Sequence, residues 1–129
     1  VDENGAPRAV PGGRVTEEVA RPFLRTVSAE LAALSQPLSG QVAIRGDVAR
    51  SIPFVTGYGV EIAMLMDVWR SHGPKAMVEA DMGLIENRFK PDDALDIVTR
   101  DVQQAMHLRG RVADVPDSRQ WVVCFLGKW

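Results

Sequence analysis

Pro53-Phe54-Val55-Thr56-Gly57-Tyr58-Gly59-Val60-Glu61 leads from a loop with two glycines straight into the most apolar segment of the chain. Residues 58–71 carry Val60, Ile62, Ala63, Met64, Leu65, Met66, Val68 and Trp69. Apolar side chains then point in nearly all directions, which predicts a helix wrapped by the rest of the fold. His72-Gly73-Pro74 is its stop signal. At the other end, glycines let a ligand approach the backbone closely, and the N–H groups of a helix start attract anions and hydroxyl-rich ligands. Glu61, in the first turn, also compensates the helix dipole, so it reads equally as a satisfied end charge.

Working toward the N-terminus, Asp47 can cap a short helix through Val48 and Ile52 that ends at Pro53. Residues 37–45 read as a turn and a short strand through Val42 and Ile44. Thr16 is a good N-cap for a helix with Val19, Phe23, Val27, Leu31 and Leu34 on one side, kinked or restarted at Pro22. Residues 4–13, with Pro7 and Pro11, read as a loop. Toward the C-terminus, Ala76, Val78, Ala80 and Met82 alternate with Lys75, Met77, Glu79 and Asp81, a strand with one solvated side. Residues 92–109 form an amphipathic helix with Leu95, Val98, Val102, Ala105 and Met106 inward, begun by Asp92-Asp93 and ended by Gly110. Trp121 to Leu126 is a continuous apolar run of strand length. The fold class is α/β, in the mixed sense of an α+β fragment.

Composition sets outer limits. A chain of 129 residues with 46% hydrophobic content supports one domain. Fifteen basic against 17 acidic residues give no polycation, so nucleic acid is not an expected partner. No stretch approaches the length of a membrane span. The single cysteine, Cys124, excludes an internal disulfide and fits a reducing, cytoplasmic setting. Val1-Asp2-Glu3-Asn4-Gly5 reads like the end of a strand running into a turn, the expectation being the C-terminal part of something larger.

Chemistry-bearing motifs are few. Pro11-Gly12-Gly13-Arg14-Val15-Thr16 sets two glycines, a guanidinium and a hydroxyl before a helix, the components of an anion site. It reads also as a loop with a threonine cap and a solvated arginine, and the Gly-Lys-Ser/Thr ending of a phosphate loop is missing. His72 and His107 read as surface residues and Cys124 as packing. Asp81, Glu86 and Asn87 flank a turn after a strand, where oxygen ligands could meet a hard cation such as magnesium, or simply be loop residues.

Gly-Gly-Arg-Val-Thr-Glu at 12–17, Ala-Arg-Pro at 20–22, Gln-Pro-Leu-Ser-Gly at 36–40, Pro-Phe-Val-Thr-Gly-Tyr-Gly-Val-Glu-Ile at 53–62 and Asp-Met-Gly-Leu at 81–84 occur in one order. Together they resemble the C-terminal half of glucosyl-3-phosphoglycerate synthases, retaining glycosyltransferases of the GT-A fold, with mannosyl-3-phosphoglycerate synthases as near relatives. The resemblance covers roughly residues 10–91. It divides the chain into a loop at 1–13, a family-like core at 14–91 and a helix with an apolar tail at 92–129. It implies an acceptor-binding region that lacks the N-terminal nucleotide-binding half.

Carried over by residue, the resemblance implies that Gly13, Arg14, Val15 and Thr16 hold the phosphate and carboxylate of 3-phosphoglycerate. Glu61 would lie beside the donor sugar as the catalytic residue, and Gly57, Tyr58 and Gly59 would shape that pocket. The implied substrates are a sugar nucleotide, UDP-glucose, and 3-phosphoglycerate. The implied cofactor is Mg2+ or another divalent cation. The family's metal-binding histidine aligns with Asn87, an oxygen donor in place of an imidazole. The asparagine two residues later aligns with Phe89, which removes a polar contact to the acceptor.

Two other expectations stand beside this one. A phosphate-binding module without catalysis would accommodate the Asn87 and Phe89 changes. A structural or assembly fragment would pair its apolar helix 58–71 and strand 121–126 with another copy, and such surfaces point to a homodimer.

Overall fold

The computed structural model describes residues 13–84, 92–110 and 123–128. Helical backbone starts at Arg14 and runs through a π-turn, Thr16–Ala20, into α1, Arg21–Val27. After α2 (Ala29–Ala32) come β1 (Val42–Ile44), α3 (Gly46–Ser51), a single-turn 3₁₀ segment at Gly57–Gly59, and α4 (Val60–His72). A second 3₁₀ turn, Pro74–Ala76, precedes β2 (Met77–Leu84), α5 (Asp92–Gly110) and β3 (Val123–Lys128). The strands form one sheet in the order β1-β3-β2, with β3 antiparallel to β1 and parallel to β2. This mixture of helices and a mixed sheet is compatible with the α/β fragment expected.

The core is organised around α4. Ile62, Ala63, Leu65, Met66 and Val68 are fully buried and Met64 nearly so, which is why apolar residues occupy almost every side of that helix. Leu24 from α1, Leu31 from α2, Val48 from α3 and Val102, Ala105 and Met106 from α5 close around it. Gly73, at φ +76°, ends the helix with its N–H donating to the Trp69 carbonyl at 2.8 Å. That left-handed end is the glycine stop expected from His72-Gly73-Pro74.

Four local readings are corrected. Thr16 is not an N-cap: the first helical bond runs from the Glu17 N–H to the Gly13 carbonyl at 3.0 Å, and Thr16 lies inside the π-turn, 3% exposed. The helix predicted across 16–34 is broken at Ser28, whose extended backbone lets its Oγ accept from the Glu30 and Leu31 amides. Serine competes for nearby backbone donors, so it favours caps over helix interiors. Asp47 does not cap α3; it sits in the first turn, paired with Arg45 at 2.7 Å. At the start of β2 the expected inward face does not hold: Met77 packs against the core while Val78 is 42% exposed.

Glu79, two residues on and so on the same side as Met77, ties that side of the strand to the 35–36 turn. Its carboxylate accepts from the Ser35 N–H at 2.6 Å, the Gln36 N–H at 3.1 Å and the Ser35 hydroxyl at 3.2 Å. Arg21 holds the other side of the same turn, donating to the carbonyls of Ala32, Leu34 and Ser35 while pairing with Glu17 at 2.9 Å. The Arg21 bond keeps the Glu17 carboxyl below its ordinary pKa. Arg21→Met should therefore strand part-buried carbonyls at no gain in packing. About 2 kcal/mol of stability should be lost, measured by urea unfolding of the full-length protein.

Further along β2 the register slips. Ala80 pairs with Leu126 but Leu84 with Lys128, so four residues of β2 match two of β3. Asp81-Met82-Gly83 makes the resulting bulge. Gly83 takes φ +74° and donates its N–H to Asp81 Oδ1 at 2.9 Å, a turn that only a residue without Cβ adopts readily.

Candidate functional site

The Gly57-Tyr58-Gly59 turn is shaped by α5. Gly57 has φ +79°, and a Cβ on it would stand 2.3 Å from Asp101 Oδ2. A Cβ on Gly59 would meet both the Ala105 Cβ and the Asp101 carbonyl oxygen at 2.6 Å. Between them, the Tyr58 N–H donates to Asp101 Oδ2 at 2.9 Å. The two glycines thus admit a neighbouring helix, the close approach that the sequence reading reserved for a ligand. The Tyr58 side chain is half-exposed. Beside the turn lies a shallow recess of about 110 Å³ lined by Val55, Thr56, Asp101, Gln104 and Ala105.

Glu61 follows within one turn. Its Oε1 accepts the Gly40 N–H at 2.6 Å, which ties the start of α4 to the Gln36-Pro37-Leu38-Ser39-Gly40 segment. Gly40 is held at φ +75°, and Ser39 braces it: the Ser39 hydroxyl donates to the Gln41 carbonyl at 2.9 Å and accepts the Gln41 N–H at 3.1 Å. Burial pushes the Glu61 carboxyl above its ordinary pKa, and the Gly40 bond opposes that rise without cancelling it. Nearby in sequence, Gln36 is 4% exposed and its Oε1 has no hydrogen-bond partner. A carboxyl with a raised pKa beside a left-handed glycine turn is an arrangement suited to a site more than to a helix cap.

At the other predicted position, Gly13 and Arg14 are exposed at the start of the helix while Val15 and Thr16 are buried. Gly13 and Arg14 are thus the members of that group presented to solvent, and Val15 and Thr16 belong to the core side. Asn87 and Phe89 lie outside the described residues. Among the described residues, no three His, Cys, Asp or Glu side chains come together as a metal site, and no helix is long and apolar enough to cross a membrane.

Sequence reasoning missed Asp101, and it quoted the segments that hold Arg21 and Gly40 without giving either residue a role. Asp101 and Ala105 lie one helical turn apart on α5. The paired glycines at 57 and 59 signal a close approach, but nothing in their spacing distinguishes a neighbouring helix from a ligand.

Segments 13–17, 20–22, 36–40 and 53–62 fall within the 118 residues that match named relatives. A relative from Mycobacterium tuberculosis H37Rv, glucosyl-3-phosphoglycerate synthase, is 39% identical over 118 residues, 92% of this chain and 36% of that protein. The chain is homologous to part of the glucosyl-3-phosphoglycerate synthases. The relative of that name from Mycolicibacterium paratuberculosis is 38% identical over 117 residues, 91% of this chain and 35% of its own length. The one from Petrotoga mobilis is 45% identical over 73 residues, 57% of this chain and 22% of that synthase. The chain therefore spans about a third of the length of the mycobacterial synthases it matches. No family model and no solved structure matches it.

Proposed function

We propose that this chain is the acceptor-binding part of a sugar-nucleotide-dependent glycosyltransferase of the GT-A fold, one that moves a glucosyl group from UDP-glucose to 3-phosphoglycerate. In the reaction, the bond between the anomeric carbon and the diphosphate oxygen breaks. A new bond forms from that carbon to the 2-hydroxyl oxygen of the acceptor on the same face, UDP departs, and the hydroxyl proton passes to the departing diphosphate oxygen. The reading rests chiefly on Glu61, a half-buried carboxylate anchored to Gly40 inside the stretch homologous to the synthases. Beside the donor sugar, such a group favours the positive charge that builds on the anomeric carbon as the diphosphate leaves. Arg14, exposed at the helix start, grips the acceptor's phosphate or carboxylate through a two-pronged guanidinium. Magnesium at the diphosphate, a homodimer and a cytoplasmic location belong to the same reading, and no step above depends on them.

The acceptor assignment has its own test. In the full-length protein, Arg14→Ala should raise the apparent constant for 3-phosphoglycerate about tenfold and leave that for UDP-glucose within about twofold. Equal effects on the two substrates in steady-state kinetics would remove Arg14 from the acceptor site.

A further inference from the structure

The Gly57–Gly59 turn sets the phase of the first turn of α4, because the Val60 N–H closes onto the Gly57 carbonyl and Glu61 follows immediately. What fixes the turn itself is a side chain from a helix far along the chain. Asp101 Oδ2 takes the Tyr58 N–H at 2.9 Å and fills the space where Gly57 would carry a Cβ, while its own carbonyl presses on Gly59. Downstream, Glu61 reaches the Gly40 N–H at 2.6 Å, a short contact that tolerates little rotation of the helix start. We propose that Asp101 is a positioning residue: through the Tyr58 amide it locks the turn that aims the Glu61 carboxylate. This inference rests on Glu61 being the site residue of the proposed glucosyl transfer, but its geometry can be read without turnover.

Asp101 acts here as a hydrogen-bond acceptor, a role that asparagine can fill and alanine cannot. Amide hydrogen exchange in the full-length protein reads the chain of contacts. In Asp101→Ala, exchange at Tyr58 and at Gly40 should both quicken about tenfold, and Asp101→Asn should stay within about threefold of wild type. Gly73, whose N–H bonds Trp69 at the far end of α4, should exchange as before in both variants. In the transfer assay, kcat of Asp101→Ala should fall about tenfold with the constant for 3-phosphoglycerate within about twofold, and Asp101→Asn should restore it. Unchanged protection at Gly40 in Asp101→Ala would overturn the inference, and so would an asparagine variant as defective as the alanine one. A wild-type protein without transfer activity would sink the proposed reaction, while the exchange at Gly40 would still decide the role of Asp101.

Discussion

Glu61→Gln should cut glucosyl transfer by about a hundredfold or more and, at neutral pH, make the protein more stable. The two effects have one origin. Burial raises the Glu61 carboxyl above the ordinary 4.5 in the folded protein. The folded state then binds its proton more tightly than the unfolded chain does. Stability is fullest with that proton in place and declines as pH rises from about 4.5 through the folded value. Glutamine never ionises, and its amide oxygen still accepts the Gly40 N–H, so the variant escapes that decline. Thermal unfolding should place the variant above wild type at pH 7.5, with the gap closing below about pH 4.5. A residue kept at a cost to stability is a mark of function. A variant less stable than wild type at pH 7.5 would mean that the Gly40 bond, not burial, dominates at Glu61.

Gly59→Ala should be the most damaging single methyl among the described glycines. Its backbone, at φ −78°, is one that any residue adopts, so strain in the turn is not the reason. The new Cβ would lie 2.6 Å from the Asp101 carbonyl oxygen and 2.6 Å from the Ala105 Cβ, atoms held by α5 and unable to swing aside. The start of α4 and the middle of α5 would have to separate, opening the core at Val102 and Ala105. A loss of about 3 kcal/mol is expected, or a fall of roughly 10 °C in Tm. Gly13→Ala is the matched control: nothing lies within 4 Å of its added Cβ, and the change should stay within about 0.5 kcal/mol. Similar melting temperatures for the two variants would show that α5 does not bear on the turn as closely as the geometry requires.

These contrasts show which parts of the architecture could be read from sequence. The buried α4, the amphipathic α5 and the glycine stop at Gly73 follow from periodicity and end signals, because their side chains meet the core locally. The face of β2 was not legible, since Met77 and Val78 are both apolar. A distant partner, the 35–36 turn gripped by Glu79, settles which one turns inward. Ser28 sits in an otherwise helical pattern and starts a new helix by accepting the Glu30 and Leu31 amides on its Oγ, a choice that composition leaves open. At the site, the glycines, Tyr58 and Glu61 could be singled out from their order alone. The partners that give them a role, Asp101 from 43 residues away and Gly40 from 21, are products of tertiary packing.

The most direct test is to incubate the full-length protein with UDP-glucose and 3-phosphoglycerate and follow the anomeric proton of the product by NMR, beside Glu61→Gln. The account predicts a glucosylated phosphoglycerate with the donor's anomeric configuration, formed by wild type and nearly absent with the variant. Wild-type protein that forms no glucosylated product, or a Glu61→Gln variant that forms it at the wild-type rate, would contradict it.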